Sequence, residues 1–103
     1  MLIFTNAVAG SEAEFNDWYE TTHVDDVLAT AGFHAGQRFG LELVAGLPMP
    51  NTHLAIYETQ GESPQEVVHR LNETRVNRVI SDTMDASQFA IWVFTPLGER
   101  HVL

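Results

Sequence analysis

Residues 14–39, EFNDWYETTHVDDVLATAGFHAGQRF, constrain the fold most, because their hydrophobic phase breaks at a histidine. At about 100° per residue, Phe15, Trp18, Tyr19 and Thr22 share one face of a helix. Val24, Val27, Leu28 and Ala31 share another, which points nearly the opposite way. One straight amphipathic helix cannot bury both sets. The spacing therefore predicts a kink or short interruption near residues 22–25, with His23 at the break. A histidine at such a break, flanked by Trp18 and Tyr19, is a candidate for chemistry and equally a candidate helix-terminus fixture.

The surrounding pattern supplies the other elements. Residues 2–8 read as a strand. Ser11 with Glu14 forms a capping box that opens the first helix, and Thr22 with Asp25 forms a weaker box able to restart it. Gly32 suits the C′ position at its end. Residues 33–44 alternate as a long strand, with Phe33, Ala35, Gln37, Phe39, Leu41 and Leu43 on one face and His34, Gly36, Arg38, Gly40 and Glu42 on the other. Gly46, Pro48, Pro50 and Asn51 mark a turn, and residues 52–59 form the antiparallel partner strand. Ser63, Pro64 and Glu66 open a second helix, along which Val67, Val68, Leu71, Arg75 and Val79 recur at helical spacing. Residues 88–95 make a last, nearly continuous apolar strand ended by Pro96.

The order βαββαβ predicts an α+β, ferredoxin-like fold: a four-stranded antiparallel sheet with both helices on one face, in a single domain spanning residues 1–103. Both faces of the last strand, with Phe89, Ile91, Trp92, Val93 and Phe94, read as buried. If helices cover only one side of the sheet, a second copy of the chain is the economical cover for the other, so a homodimer packed sheet to sheet is expected.

Charge narrows the function classes. The 103 residues carry a formal charge of −9 and no lysine, which argues against nucleic acid and anionic membranes as partners. Arg38 is the only lysine or arginine in the first 69 residues, and a lone cation on a strand is expected to pair. Without cysteine there is neither a disulfide framework nor a thiolate metal site. Met1 leads into Leu2, Ile3 and Phe4 with no basic segment and no long apolar run, so a cytoplasmic location is expected. His23, His34, His53, His69 and His101 show no metal-binding spacing, and no phosphate-cradling loop or G-x-S-x-G follows a strand, so no metal and no cofactor is called for. A single axial histidine would still suffice for haem.

These residues resemble the signature of the EthD-like family of dimeric α/β-barrel proteins. That signature runs E-F-x-x-W-Y, H-x-P and P-G-F-x-x-x-x-R-F. Here Glu14, Phe15, Trp18 and Tyr19 match the first part, His23 the second, and Gly32, Phe33, Arg38 and Phe39 the third. Asp25 and Ala31 stand where relatives often carry proline, which predicts a softer helix break. The resemblance implies a dimeric α/β barrel and a range of activities: cofactor-free monooxygenases, polyketide cyclases, lactone isomerases and haem-binding enzymes. Fold does not choose among them.

The residues suggest a cofactor-independent enzyme acting on a small apolar carbonyl or aromatic compound in a pocket between the first helix and the sheet. Isomerisation, cyclisation and oxygenation would share a first proton transfer. His23 would move the proton and Tyr19 would stabilise the oxyanion. Arg38, Trp18, Phe39, His53, Tyr57 and Trp92 are the candidate substrate-binding residues. Each also has a structural reading: Arg38 in a salt bridge to Asp17 or Glu20, the aromatics in the core or dimer contact, and His53 and Tyr57 against a partner subunit. The alternative function is a non-catalytic dimeric protein that binds a metabolite.

Overall fold

A computed structural model describes all residues 1–103. Strand β1 (Leu2–Thr5) leads into helix α1 (Glu12–Trp18), a π-helical segment (Tyr19–His23) and helix α2 (Val24–Ala31). Strands β2 (Ala35–Gly40) and β3 (His53–Glu58) follow, then helix α3 (Pro64–Glu73), a 3₁₀ turn (Arg75–Asn77) and strand β4 (Ala90–Trp92). The sheet has the order β2-β3-β1-β4 and every pairing is antiparallel. This is the expected α+β arrangement, compatible with a ferredoxin-like fold.

The phase break is resolved without a stop. Tyr19 O accepts from Val24 N–H, five residues on, so the chain inserts one extra residue into a continuous helix. That insertion rotates everything beyond it by about 100° relative to an unbroken α-helix. Phe15, Tyr19, Val27 and Ala31, which would drift around a straight helix, then fall on one line and are all buried. His23 occupies the remaining place in this every-fourth-residue series. The restart box at Thr22 and Asp25 is therefore not used, because Thr22 lies inside the π segment and His23 itself has helical dihedrals. Nor does Ser11 cap with its side chain; Glu12 instead accepts from Gly10 N–H at 3.4 Å.

Other caps form as the residues dictate. Gly32 ends α2 in the left-handed region at φ 73°. Ser63 accepts from Glu66 N–H at 3.2 Å, with Pro64 in the first turn. Arg70 joins the two helical layers: it donates to Ala31 O at the end of α2, pairs with Glu62, and lies 5.5 Å from the centre of the Phe33 ring.

Several elements are shorter than the pattern predicts, among them β1, expected over residues 2–8, which stops at Thr5, and β3, which covers His53–Glu58 of the expected 52–59. Strand β2 stops at Gly40, and Leu43, Val44 and Leu47 project from the loop that follows. Helix α3 ends at Glu73; the chain tightens into the 3₁₀ turn and then extends, leaving Val79 exposed rather than on a helical face. Strand β4 keeps only three ladder residues, and Phe89 and Phe94 at its ends are more than half exposed. Apolar alternation cannot report these limits, because a strand ends where its partner strand ends.

The two sheet faces are unequal. Ile3, Ala55 and Tyr57 turn toward the helices and are buried. On the other face, Phe4 meets Trp92 edge-on at 4.8 Å, while Phe39, Trp92 and Phe94 are 40%, 49% and 62% exposed. The expectation that both faces of β4 are buried is not met within one chain.

On the covered face, strand and helix approach closely at Gly36. A Cβ there would sit 3.0 Å from Tyr57 Cδ1 and 3.3 Å from Leu28 Cδ2. Gly36→Ala is expected to lower unfolding free energy by about 1–3 kcal/mol in denaturant titrations. Gly40→Ala on the same strand, where a Cβ meets nothing within 4 Å, should stay within about 0.5 kcal/mol of wild type.

Candidate active site

The helical layer does not close completely over the sheet. A cavity of about 350 Å³ remains. Ile3, Thr5 and Ile91 form its floor, and Trp18, Tyr19, His23 and Val27 form one wall from α1, the π segment and α2. Leu71 and Asn72 of α3 continue into Arg75 and Arg78, and Ile80, Ser81, Met84, Ala86 and Phe89 complete the enclosure. This last wall has no regular structure of its own. It is held by Val8 N–H to Thr83 O at 2.7 Å, Asp85 N–H to Asn6 O at 2.9 Å, and Val79 N–H to Asp26 Oδ2 at 3.3 Å. The Ala7–Met84 bridge prolongs the β1 edge beneath it. The volume and the mostly apolar lining suit a small organic ligand.

The π segment sets the polar groups of this cavity. The His23 ring stacks on Trp18 at 4.4 Å with planes 26° apart, and meets Tyr19 edge-on at 4.8 Å. Trp18 Nε1, Tyr19 OH and His23 Nδ1 are buried and have no hydrogen-bond partner. Native interiors rarely leave such groups unpaired; Tyr57 OH, the neighbour of the Tyr19 hydroxyl, and Arg70 Nη2 share this state away from the cavity.

Burial, and then the positive field of Arg78, push the His23 pKa down to about 4 despite the opposing influence of Asp26. At neutral pH His23 is therefore an uncharged imidazole with a lone pair available. No hydrogen bond to a carboxylate or carbonyl fixes its tautomer; Trp18 positions the ring by stacking alone. Burial raises the Tyr19 pKa, against the pull of the neighbouring Tyr57 hydroxyl and of Arg38, so Tyr19 stays protonated and can donate. Burial likewise raises Tyr57.

The remaining residues singled out from the sequence divide into two groups. Arg38 lies on the helix-facing side of β2, where Nη2 donates to Asn16 Oδ1 at 2.7 Å and Nη1 pairs with Glu20 at 3.3 Å. Its guanidinium covers the Tyr19 ring at 4.8 Å. It is thus the helix-to-strand tie of the structural reading, made to Glu20 rather than Asp17, and it does not line the cavity. His53 packs edge-on against Phe15 at 5.1 Å, and Tyr57 packs beside Phe33 at 5.5 Å. Neither lines the cavity: Tyr57 is in the core, and His53 is partly buried at the start of β3. Burial followed by Arg38 lowers the His53 pKa. Phe39 and Trp92 lie on the opposite face of the sheet. Of the eight candidates, the structure brings His23, Tyr19 and Trp18 together at the cavity.

Arg75 and Arg78 are the functional candidates that the sequence pattern hides. Arg75 reads as one more position on a helical face, and Arg78 follows a helix end that periodicity does not mark. No three His, Cys, Asp or Glu side chains gather to hold a metal ion, and no helix is long and apolar enough to cross a membrane. Comparison with family models, with curated proteins and with solved structures returns no match.

The depressed His23 pKa makes stability depend on pH with a defined sign. Unfolded chains bind a proton at this residue below about 6.5, whereas the native state resists it down to about 4. The stability present above pH 6.5 is lost as pH falls through that window, by about 3 kcal/mol from this group. In urea titrations between pH 7 and pH 4, His23→Gln is expected to lose about that much less stability than wild type.

Proposed function

We propose that the cavity binds a small apolar carbonyl or aromatic metabolite and that His23 and Tyr19 carry out a proton transfer on it. The observation that supports this most is that Trp18, Tyr19 and His23, whose Nε1, OH and Nδ1 have no hydrogen-bond partner, together line one mostly apolar cavity. The neutral His23 imidazole would take a proton from carbon next to a carbonyl. The electron pair of the broken C–H bond would move onto the carbonyl oxygen, and the Tyr19 hydroxyl would donate a hydrogen bond to the enolate so formed. Returning the proton to a different carbon gives isomerisation; attack of the enolate carbon on an internal carbonyl, whose oxygen becomes an alkoxide and takes the proton from His23, gives cyclisation. Neither needs an oxidant or a resident cofactor.

The likeness of residues 14–39 to the EthD-like signature supports the same assignment, since the histidine and tyrosine that match it are among the residues lining the cavity. It also supports a dimeric α/β barrel. The half-exposed Phe39, Trp92 and Phe94 on the uncovered sheet face are the surface a second copy would bury. Light scattering at micromolar concentration should return twice the 11.5 kDa chain mass, and Trp92→Asp should shift it toward the monomer.

A second reading, a metabolite-binding protein without turnover, is favoured by one feature: a histidine titrating near 4 with no orienting partner is a weak base. Ligand-dependent deuterium exchange separates the two. Phenols, lactones and β-dicarbonyl compounds are first screened by thermal shift against wild type and His23→Ala. Compounds that stabilise only wild type are then incubated in D₂O. Proton transfer predicts that their carbon-bound hydrogens exchange about 10²-fold faster with wild type than with His23→Ala. Binding without any exchange overturns the catalytic reading in favour of the carrier.

A further inference from the structure

The charges of this chain are distributed against its own average. The protein has 14 acidic and only five basic side chains, yet no aspartate or glutamate lines the cavity, and two of the five arginines do. Both stand on the same wall, three residues apart, where the 3₁₀ turn after α3 hands over to extended chain. Arg38 and Arg70 are each paired with a carboxylate, Glu20 and Glu62 respectively. Arg75 and Arg78 are not.

The Arg78 guanidinium is nevertheless firmly placed. Nη1 donates to Thr30 Oγ1 at 3.1 Å and to Thr74 Oγ1 at 2.9 Å, and Nη2 donates to Leu71 O at 2.6 Å. These acceptors are all neutral, so they orient the group without cancelling its charge, and two of its five N–H donors remain unspent. The nearest relevant acid, Asp26, acts on Arg78 and His23 through its field, but its carboxylate accepts from Val79 N–H instead. Arg75, with no hydrogen bond of its own, adds a second uncompensated positive charge. Arg78 is half-buried and Arg75 exposed, so both can be reached from solvent and from the cavity that they line.

We propose that Arg75 and Arg78 form an anion-binding subsite of the cavity, and that its ligand is a small aromatic or alicyclic carboxylate. The acid group would lie on the two guanidinium groups, whose planar forks suit a carboxylate, and the apolar body would lie against Trp18, Ile3 and Phe89. The pairing would leave the other end of the ligand beside His23 and Tyr19. The inference rests on the proposed ligand-binding cavity and adds its substrate class. It also bears on His23: a bound anion would offset the positive field that, after burial, keeps the imidazole from accepting a proton.

The test compares acids with their uncharged isosteres. Benzoate, salicylate and 1-naphthoate, each beside the corresponding amide, are titrated at pH 7.5 into a Trp92→Phe protein, so that Trp18 fluorescence reports the cavity. At least one acid is expected to bind tenfold or more tightly than its amide. That preference should fall to less than threefold in Arg75→Gln, whose side chain makes no structural hydrogen bond, and vanish in the Arg75→Gln, Arg78→Gln double variant, with amide affinity unchanged. Circular dichroism and the retained amide binding show that these variants are folded. Equal binding of acid and amide to the arginine-bearing protein, preference that persists in the double variant, or no binding by any acid overturns the subsite. Acid preference that depends on the arginines, with no change on His23→Ala and no deuterium exchange, keeps the subsite and overturns the proton-transfer reading instead.

Discussion

The single extra residue carried by the π segment is the constraint from which the rest of this structure follows. A helix that placed Phe15 and Tyr19 against the sheet would, if continued regularly, turn Val27 and Ala31 toward solvent. The i to i+5 bond from Tyr19 O to Val24 N–H resets that phase. It lets one long helical layer bury both apolar sets on a domain with little surface to spare. The same reset points His23 and Tyr19 into the gap between helix and sheet. A π turn widens the helix and weakens its hydrogen bonding, and such turns cluster at functional sites because that distortion presents side chains a regular helix would splay. The helix irregularity and the candidate site are one feature seen at two scales.

Around that feature the electrostatics are partitioned. Arg38 and Arg70 are structural cations: one ties the sheet to α1 over the Tyr19 ring, the other ties α2 to α3. Each is matched by a carboxylate, Glu20 for Arg38 and Glu62 for Arg70. Arg75 and Arg78 are arranged differently, with the second gripped by hydroxyls and a carbonyl that fix direction while sparing charge. Burial and then the positive field of Arg78 hold His23 neutral, and burial holds Tyr19 neutral. The cavity is therefore lined by an uncharged acceptor, an uncharged donor and a positive pole. That set suits polarising and deprotonating an acidic organic molecule better than binding a cation or a metal.

The sheet adds a second asymmetry. Its covered face carries small or aromatic residues that meet helix side chains closely, as at Gly36 against Tyr57 and Leu28. Its other face leaves Phe39, Trp92 and Phe94 substantially exposed, a disposition in which sheet packing between two copies would remove apolar surface from water. The cavity lies between the sheet and the helices, on the face opposite to that surface.

What the sequence determined by itself are the periodicities and the local chemistry: the order βαββαβ, the C-terminal glycine at Gly32, the Ser63 and Pro64 start of α3, and the phase conflict that isolates His23. Each is written within a few consecutive residues, because helix phase, strand alternation and capping are local physics. Local pattern also favoured pairing for Arg38. It did not fix how the conflict is resolved, since a kink, a restart and a π turn all satisfy the same spacing. Tertiary structure chose the last, because only that option puts Phe15, Tyr19, Val27 and Ala31 on one line against the sheet. Strand ends, too, were decided by partner strands, which shortened β2 and β4. Above all, the walls of the cavity come from residues 3 to 91, and which side chains share it is a matter of long-range packing. That is why His53 and Tyr57 fell outside the cavity lining and Phe39 and Trp92 across the sheet, while Arg75 and Arg78, unremarkable in sequence, came to line His23's cavity.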